Sequence, residues 1–283
     1  EILLATRDEL GNQLKAWAVK TLTSDTPLAS SFIRTHHLAL RALALDDDEL
    51  LDVAARVLPF ETTDGRRTLA DVASSWTISF ASPTEDYRSV AAVARAQGLT
   101  VVNAGYVYDA DLLRKLGKRH GYATQQFAAG DLTQAMGLLP TAREVEVAEA
   151  LARARQLLDG DDCDVIVRAF EPVGMPAVLL RDPEGDHRRA LEREREATPG
   201  LWGGLLDTFS EVSSTRSRTL ALNDNTALVR QLLRTADGEI FAAGLQALFL
   251  SAVLQTGEPL HHHETAALNE ALGVLLAASL EHR

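Results

Sequence analysis

Apolar residues recur at helical spacing through the first fifty-odd positions. Ile2, Leu3, Leu10, Leu14 and Trp17 share one face of a helix over 2–22. Phe32, Ile33, Leu38 and Leu43 mark a second helix over 30–45. Asp46 stands three residues before Glu49, which is capping-box spacing, and Leu50, Leu51, Val53, Ala54 and Val57 continue at helical period. Leu58-Pro59-Phe60 ends that third helix, Thr62-Thr63-Asp64-Gly65 is a turn, and 68–72 is a short helix. The period then changes. Thr77 to Ala81 reads as a strand, 84–97 as a helix with Tyr87, Val90, Ala91 and Ala94 inward, and Leu99 to Asn103 as a buried strand. A helix from Asp109 to Leu116 and a strand near 123–127 follow. Strands alternating with helices through short loops predict a small parallel α/β layer.

A Gly- and Pro-punctuated stretch over 130–140 marks a boundary. Beyond it the pattern predicts a helix capped by Thr141, with Glu144 three residues on, running to about Leu158. A strand 164–170 and a partner strand 177–180 flank the turn at Pro172 to Pro176. Residues 182–196 are strongly charged. Asn223 is placed to cap a helix over 224–234, and two last helices cover about 238–254 and 264–280. The fold class is α/β plus α+β. Residues 1–140 form one part (helical segment 1–75, small αβα unit 76–140), and 141–283 form a mixed α+β domain ending in helices. The chain opens at Glu1 inside a helical pattern, which reads as a fragment of a longer protein.

Charge narrows the field. The chain has 283 residues, 28 basic and 40 acidic, for a formal net charge of −12. Phosphate binding wants a basic field, so nucleic acid is a poor partner. No apolar run reaches the roughly 18 residues of a membrane span, so no membrane role is expected. The lone Cys163 excludes an internal disulfide, and a reducing cytoplasm is the natural location.

Candidate chemistry is sparse. Gly-rich phosphate loops are absent, and Asn103-Ala104-Gly105 after the second α/β strand is the one spot where an open sheet would take a small ligand. Adjacent helical residues point about 100° apart, so His261-His262-His263 cannot easily converge on one ion. Asp46 to Glu49 suits a helix N-terminus better than a cation. Cys163 sits among acidic neighbours, which disfavours a thiolate. Two features stand above this background. Leu201 to Phe209 is apolar between a charged and a polar segment. The last two helices each carry an apolar stripe, Leu245, Leu248, Phe249, Ala252 and Val253 on one, Leu268, Ala271, Leu272, Leu275 and Leu276 on the other. These either pack on their own domain or meet a second copy in a four-helix contact.

The order of these pieces resembles the heat-shock protein 90 family of molecular chaperones, from partway through the middle domain to the end of the C-terminal domain. Leu58 to Val72 looks like the family's helix end, turn and "T-S-L-x-E-Y-V" segment, and Ile78 to Leu116 its small αβα unit. Val165-Ile166-Val167 with Ala177 to Leu180 resembles its C-terminal strand pair, Leu222-Asn223-Asp224-Asn225 its "L-N-P-D-H" cap, and Leu248 to Leu260 its dimer helix. Asp224 stands where the cap has proline, and Asp111 where bacterial members often carry Trp. The resemblance implies a homodimeric stress-response chaperone of bacterial type that binds unfolded client proteins in the cytoplasm. The dimer contact would use Leu245, Leu248, Phe249, Ala252, Val253, Leu268, Leu272, Leu275 and Leu276. Client contact would use Trp202, Leu205, Leu206 and Phe209. ATP and Mg belong to the family's N-terminal domain, which this segment does not cover, and no catalytic, cofactor-binding or metal residue carries over. Two rivals remain: an enzyme taking a small ligand at 103–105, and a purely structural dimerisation module.

Overall fold

A computed structural model describes residues 2–72, 76–127, 129–181, 216–257 and 259–281. The chain divides into two compact units, residues 1–87 with 99–127, and residues 88–98 with 128–283.

The first unit opens with three helices, α1 (Ile2–Leu22), α2 (Pro27–Asp46) and α3 (Asp48–Val57). Thr26 starts α2: its hydroxyl accepts from the Ala29 amide at 3.2 Å, and Pro27 takes the first helical position. The cap of α3 is Asp47, one residue later than the capping-box spacing predicts. Asp46 still belongs to α2, whereas Asp47 is extended (φ −131°) and accepts from the amides of Glu49 and Leu50, both at 3.0 Å. The hydrogen bond from Lys15 at 2.7 Å and that from the Leu50 amide hold the Asp47 carboxyl below its ordinary pKa.

The buried faces of α1 and α2 also differ from expectation. Leu10, Leu14 and Trp17 are exposed, and α1 packs through Val19 and Leu22. On α2, Leu38 and Leu43 are exposed while Leu40 and Ala44 are buried. Apolar residues surround the C-terminal half of α2 on all sides, so periodicity cannot choose its face. Packing on α3 and on helix α6 of the α/β layer (Asp109–His120) chooses it.

A β-hairpin missed by pattern follows: β1 (Pro59–Thr62) pairs antiparallel with β2 (Gly65–Thr68) across Thr63-Asp64. After a short helix α4 (Leu69–Val72) comes the expected α/β run: β3 (Thr77–Ala81), α5 (Thr84–Ala96, whose residues from Arg88 on are assigned to the second unit), β4 (Val101–Asn103), α6 and β5 (Ala123–Gln126). The strand order is β2-β1-β4-β3-β5, with β3 parallel to both β4 and β5. Leu51, Leu58, Phe60, Ile78, Leu112 and Leu113 are fully buried in this unit's core. Arg41 lies among them, ion-paired with Asp109 at the start of α6.

In the second unit, α7 (Ala129–Ala135) occupies part of the stretch read as a boundary. Next is α8 (Thr141–Leu157), whose N-cap is Pro140, not Thr141. Thr141 is already helical, and the Pro140 carbonyl accepts from the Arg143 and Glu144 amides at 2.8 and 3.0 Å. Strands β6 (Cys163–Arg168), β7 (Ala177–Arg181) and β8 (Arg218–Asn223) form a sheet in the order β6-β8-β7. The expected pairing of β6 with β7 is therefore wrong: β8 lies between them, parallel to β6 and antiparallel to β7. Asn223 is likewise no helix cap but the last residue of β8. The helix α9 (Ala227–Arg234) starts after Thr226. The chain continues with α10 (Gly238–Thr256) and α11 (His262–Glu281). By length and by a mean hydropathy of 1.4, α10 is apolar enough to cross a membrane, contrary to the sequence reading. Burial of Phe241, Leu245, Phe249, Leu250 and Val253 in the unit's core accounts for that apolarity.

Candidate functional site

The terminal helical pair is built by local signals. Asp237 caps α10, accepting from the Glu239 and Ile240 amides at 2.9 and 3.1 Å. Gly257 ends it in the left-handed region (φ +88°), where a side chain would be strained. At the start of α11 the buried Glu264 carboxylate accepts from the His261 amide at 2.8 Å. The rings of His261 and His263 stack with centroids 5.8 Å apart. Against α9 the fit is close: a Cβ on Gly244 would lie 2.7 Å from a Leu232 methyl.

The two stripes have different fates. Leu245, Phe249, Ala252 and Val253 are buried inside this chain, against the sheet and α8, and Leu248 and Leu268 are partly buried against the same core. The four buried side chains hold the domain together and offer no free face, while Leu248 and Leu268 keep part of their surface exposed. Leu275 is half-buried. On α11, Leu272 is 44 % exposed, Leu276 63 % and Leu280 72 %. At i, i+4 and i+8 these three lie along one stripe of the helix. Leu280 was missed by sequence reading, although it continues the four-residue spacing. Trp202, Leu205, Leu206 and Phe209 lie outside the described residues.

At the strand end proposed for a small ligand, the chain bonds to itself. The Asn103 amide donates to Glu61 at 2.9 Å, and its carbonyl oxygen accepts from the Gly105 amide at 3.0 Å. Tyr106 donates to the same Glu61 carboxylate at 2.9 Å. A Cβ on Gly105 would sit 2.3 Å from the Thr84 backbone nitrogen. Glycine is required there because the loop lies directly against the start of α5. The buried Cys163 thiol is 3.3 Å from the Asp164 carbonyl.

The chain matches no model of a known protein family and no curated protein.

Proposed function

We propose that this chain is the middle-to-C-terminal part of a heat-shock protein 90-type chaperone, and that it binds a second copy of itself through α11. The observation that carries the reading is the exposed stripe Leu272, Leu276 and Leu280 on the terminal helix. Water-exposed leucines at this spacing gain by meeting their own copies across a two-fold axis. The order of elements supports the same reading: hairpin, short helix, parallel α/β layer, three-stranded mixed sheet, helical pair. A tether at this end would raise the effective concentration of two ATPase domains elsewhere in the full-length protein. The chain itself would hold clients and couple them to that clamp.

Sedimentation velocity over a micromolar dilution series tests the tether. The expected species is a dimer. Leu272→Asp with Leu276→Asp should weaken it more than about 100-fold, because each carboxylate is introduced twice into an apolar contact. Thermal melting of the monomer should hardly change, since both positions face water. A wild-type monomer, or a doubly substituted dimer of unchanged affinity, overturns the reading.

Client binding has a separate test. Replacing Trp202 and Phe209 with Ser should lower suppression of aggregation of a thermally unfolding client by at least about half, through loss of exposed apolar area. Unchanged suppression would leave only a structural dimerisation module.

A further inference from the structure

The first unit contains a cavity of about 350 Å³ between α3, α4, β3 and the end of α6. That is the low end of the range for small-molecule clefts, roughly 300–1,000 Å³. Its floor is apolar: Leu69, Ile78 and Leu116 are each nearly fully buried, and Ala55 forms one wall.

The rim is polar and carries Asp52, Arg56 and His120. The Asp52 carboxylate is committed. Arg119 grips it with two hydrogen bonds of 2.7 Å, and the His120 Nε2 lies 2.9 Å away. The Arg119 bond holds the Asp52 carboxyl below its ordinary pKa, so it stays ionised and neutralised near pH 7. Arg56 is different. It is exposed on the rim, one turn along α3, and no hydrogen bond or ion pair ties its guanidinium to another described residue.

Aromatic rings flank the opening. Tyr122 lines the cavity, with the His120 and Trp76 rings each 6.2 Å from its own. Trp76 is 73 % exposed and its backbone is left-handed (φ +62°), a conformation that costs a bulky residue energy. The Trp76 carbonyl accepts from the Ala123 amide at 2.9 Å, which fixes the backbone as β3 begins its pairing with β5. A large ring held in water by a strained backbone beside an apolar cavity is what a ligand site needs and what a packing role does not.

We propose that this cavity binds a small amphipathic carboxylate, with its apolar body on the Leu69, Ile78 and Leu116 floor and its carboxylate on Arg56. A guanidinium with no partner among the described residues matches one carboxylate through two parallel hydrogen bonds. The apolar floor selects against strongly hydrated anions such as phosphate.

Calorimetric titration of the full chain with octanoate tests the assignment, with octanamide as the uncharged control. Octanoate should bind saturably at one site. Arg56→Gln should weaken octanoate at least tenfold and leave octanamide unchanged. Ala55→Phe, which projects a ring into the cavity, should abolish both, with the circular dichroism melt confirming the fold. Absence of saturable octanoate binding overturns the site. Equal octanoate affinity in the wild type and Arg56→Gln overturns the charge match, and undiminished binding in a folded Ala55→Phe overturns the location.

Discussion

Arg41→Met is expected to destabilise the first unit by about 3–5 kcal/mol, because it leaves a carboxylate buried without its countercharge. The guanidinium is spent on four groups at once. Its Nε donates to Asp109, its Nη2 donates to the Pro59 carbonyl at 2.9 Å, and its Nη1 lies 3.3 Å from the His37 ring. Its plane also covers the Phe60 ring at 4.8 Å. Asp109 is almost fully buried, and its second oxygen has no partner among the described residues.

Burial raises the Asp109 carboxyl above its ordinary value of 3.8, against the opposing pull of Arg41. A carboxyl raised in the folded state binds its proton more tightly there than in the unfolded chain. Its contribution to stability is therefore greatest below about 3.8 and falls as pH rises through the folded value. Removing Arg41 lifts that folded value further, so the loss extends to higher pH. The gap between variant and wild type should therefore widen as pH rises, compared at about pH 5 and about pH 8. Urea denaturation at both values measures it, and Arg41→Met with Asp109→Leu should restore most of the stability. A single-variant cost below about 1 kcal/mol would mean that the pair is not desolvated as the structure has it.

The second large effect is expected at Asn223. Its side chain is completely buried at the end of β8 and works on both sides. The amide nitrogen donates to the carbonyls of Phe170 and Met175, both at 2.9 Å. The oxygen accepts from the amides of Phe170 at 3.2 Å and Asn225 at 3.1 Å. One residue thus joins the loop after β6 to the turn before α9. Asn223→Ala should cost roughly 2–4 kcal/mol, since orphaned buried groups cost about 1–3 kcal/mol each and some here keep a second partner. Amide exchange at Phe170 and Asn225 should quicken with it. Slow exchange at both amides in the variant would show that the loop is held by other means.

The fate of Asn223 shows where sequence reading reaches its limit. An Asn before an apolar run is a legitimate cap signal, and the run from Leu220 to Leu222 carries no mark of its strand partners. β8 meets β6 fifty-five residues away, and such pairing leaves no local trace. The β3-α5-β4-α6-β5 run was legible because each element carries its own period and the connections are short. The β1–β2 hairpin was not, since each strand offers only four residues, and Leu58-Pro59 reads as a helix stop.

The site divides the same way. Leu272 and Leu276 are readable as an apolar stripe from spacing alone. That Leu245, Phe249, Ala252 and Val253 are used within the chain depends on what packs above them, which spacing does not encode. Arg41 gave no signal at all. An arginine within a helix is ordinary, and only the arrival of Asp109 from far along the chain makes it a buried ion.

The middle strand of the second sheet is also the last to be made. β6 and β7 leave the ribosome first and flank an empty lane until Arg218 to Asn223 emerge. At about 5–20 residues per second, the chain between Arg181 and Arg218 takes roughly 2–7 s to synthesise. For that interval two apolar strands, Val165 and Val167 on one and Ala177 to Leu180 on the other, present open edges to the cell. The nascent chain therefore passes through a window in which it is itself prone to aggregate, and slower translation across 182–217 would lengthen it.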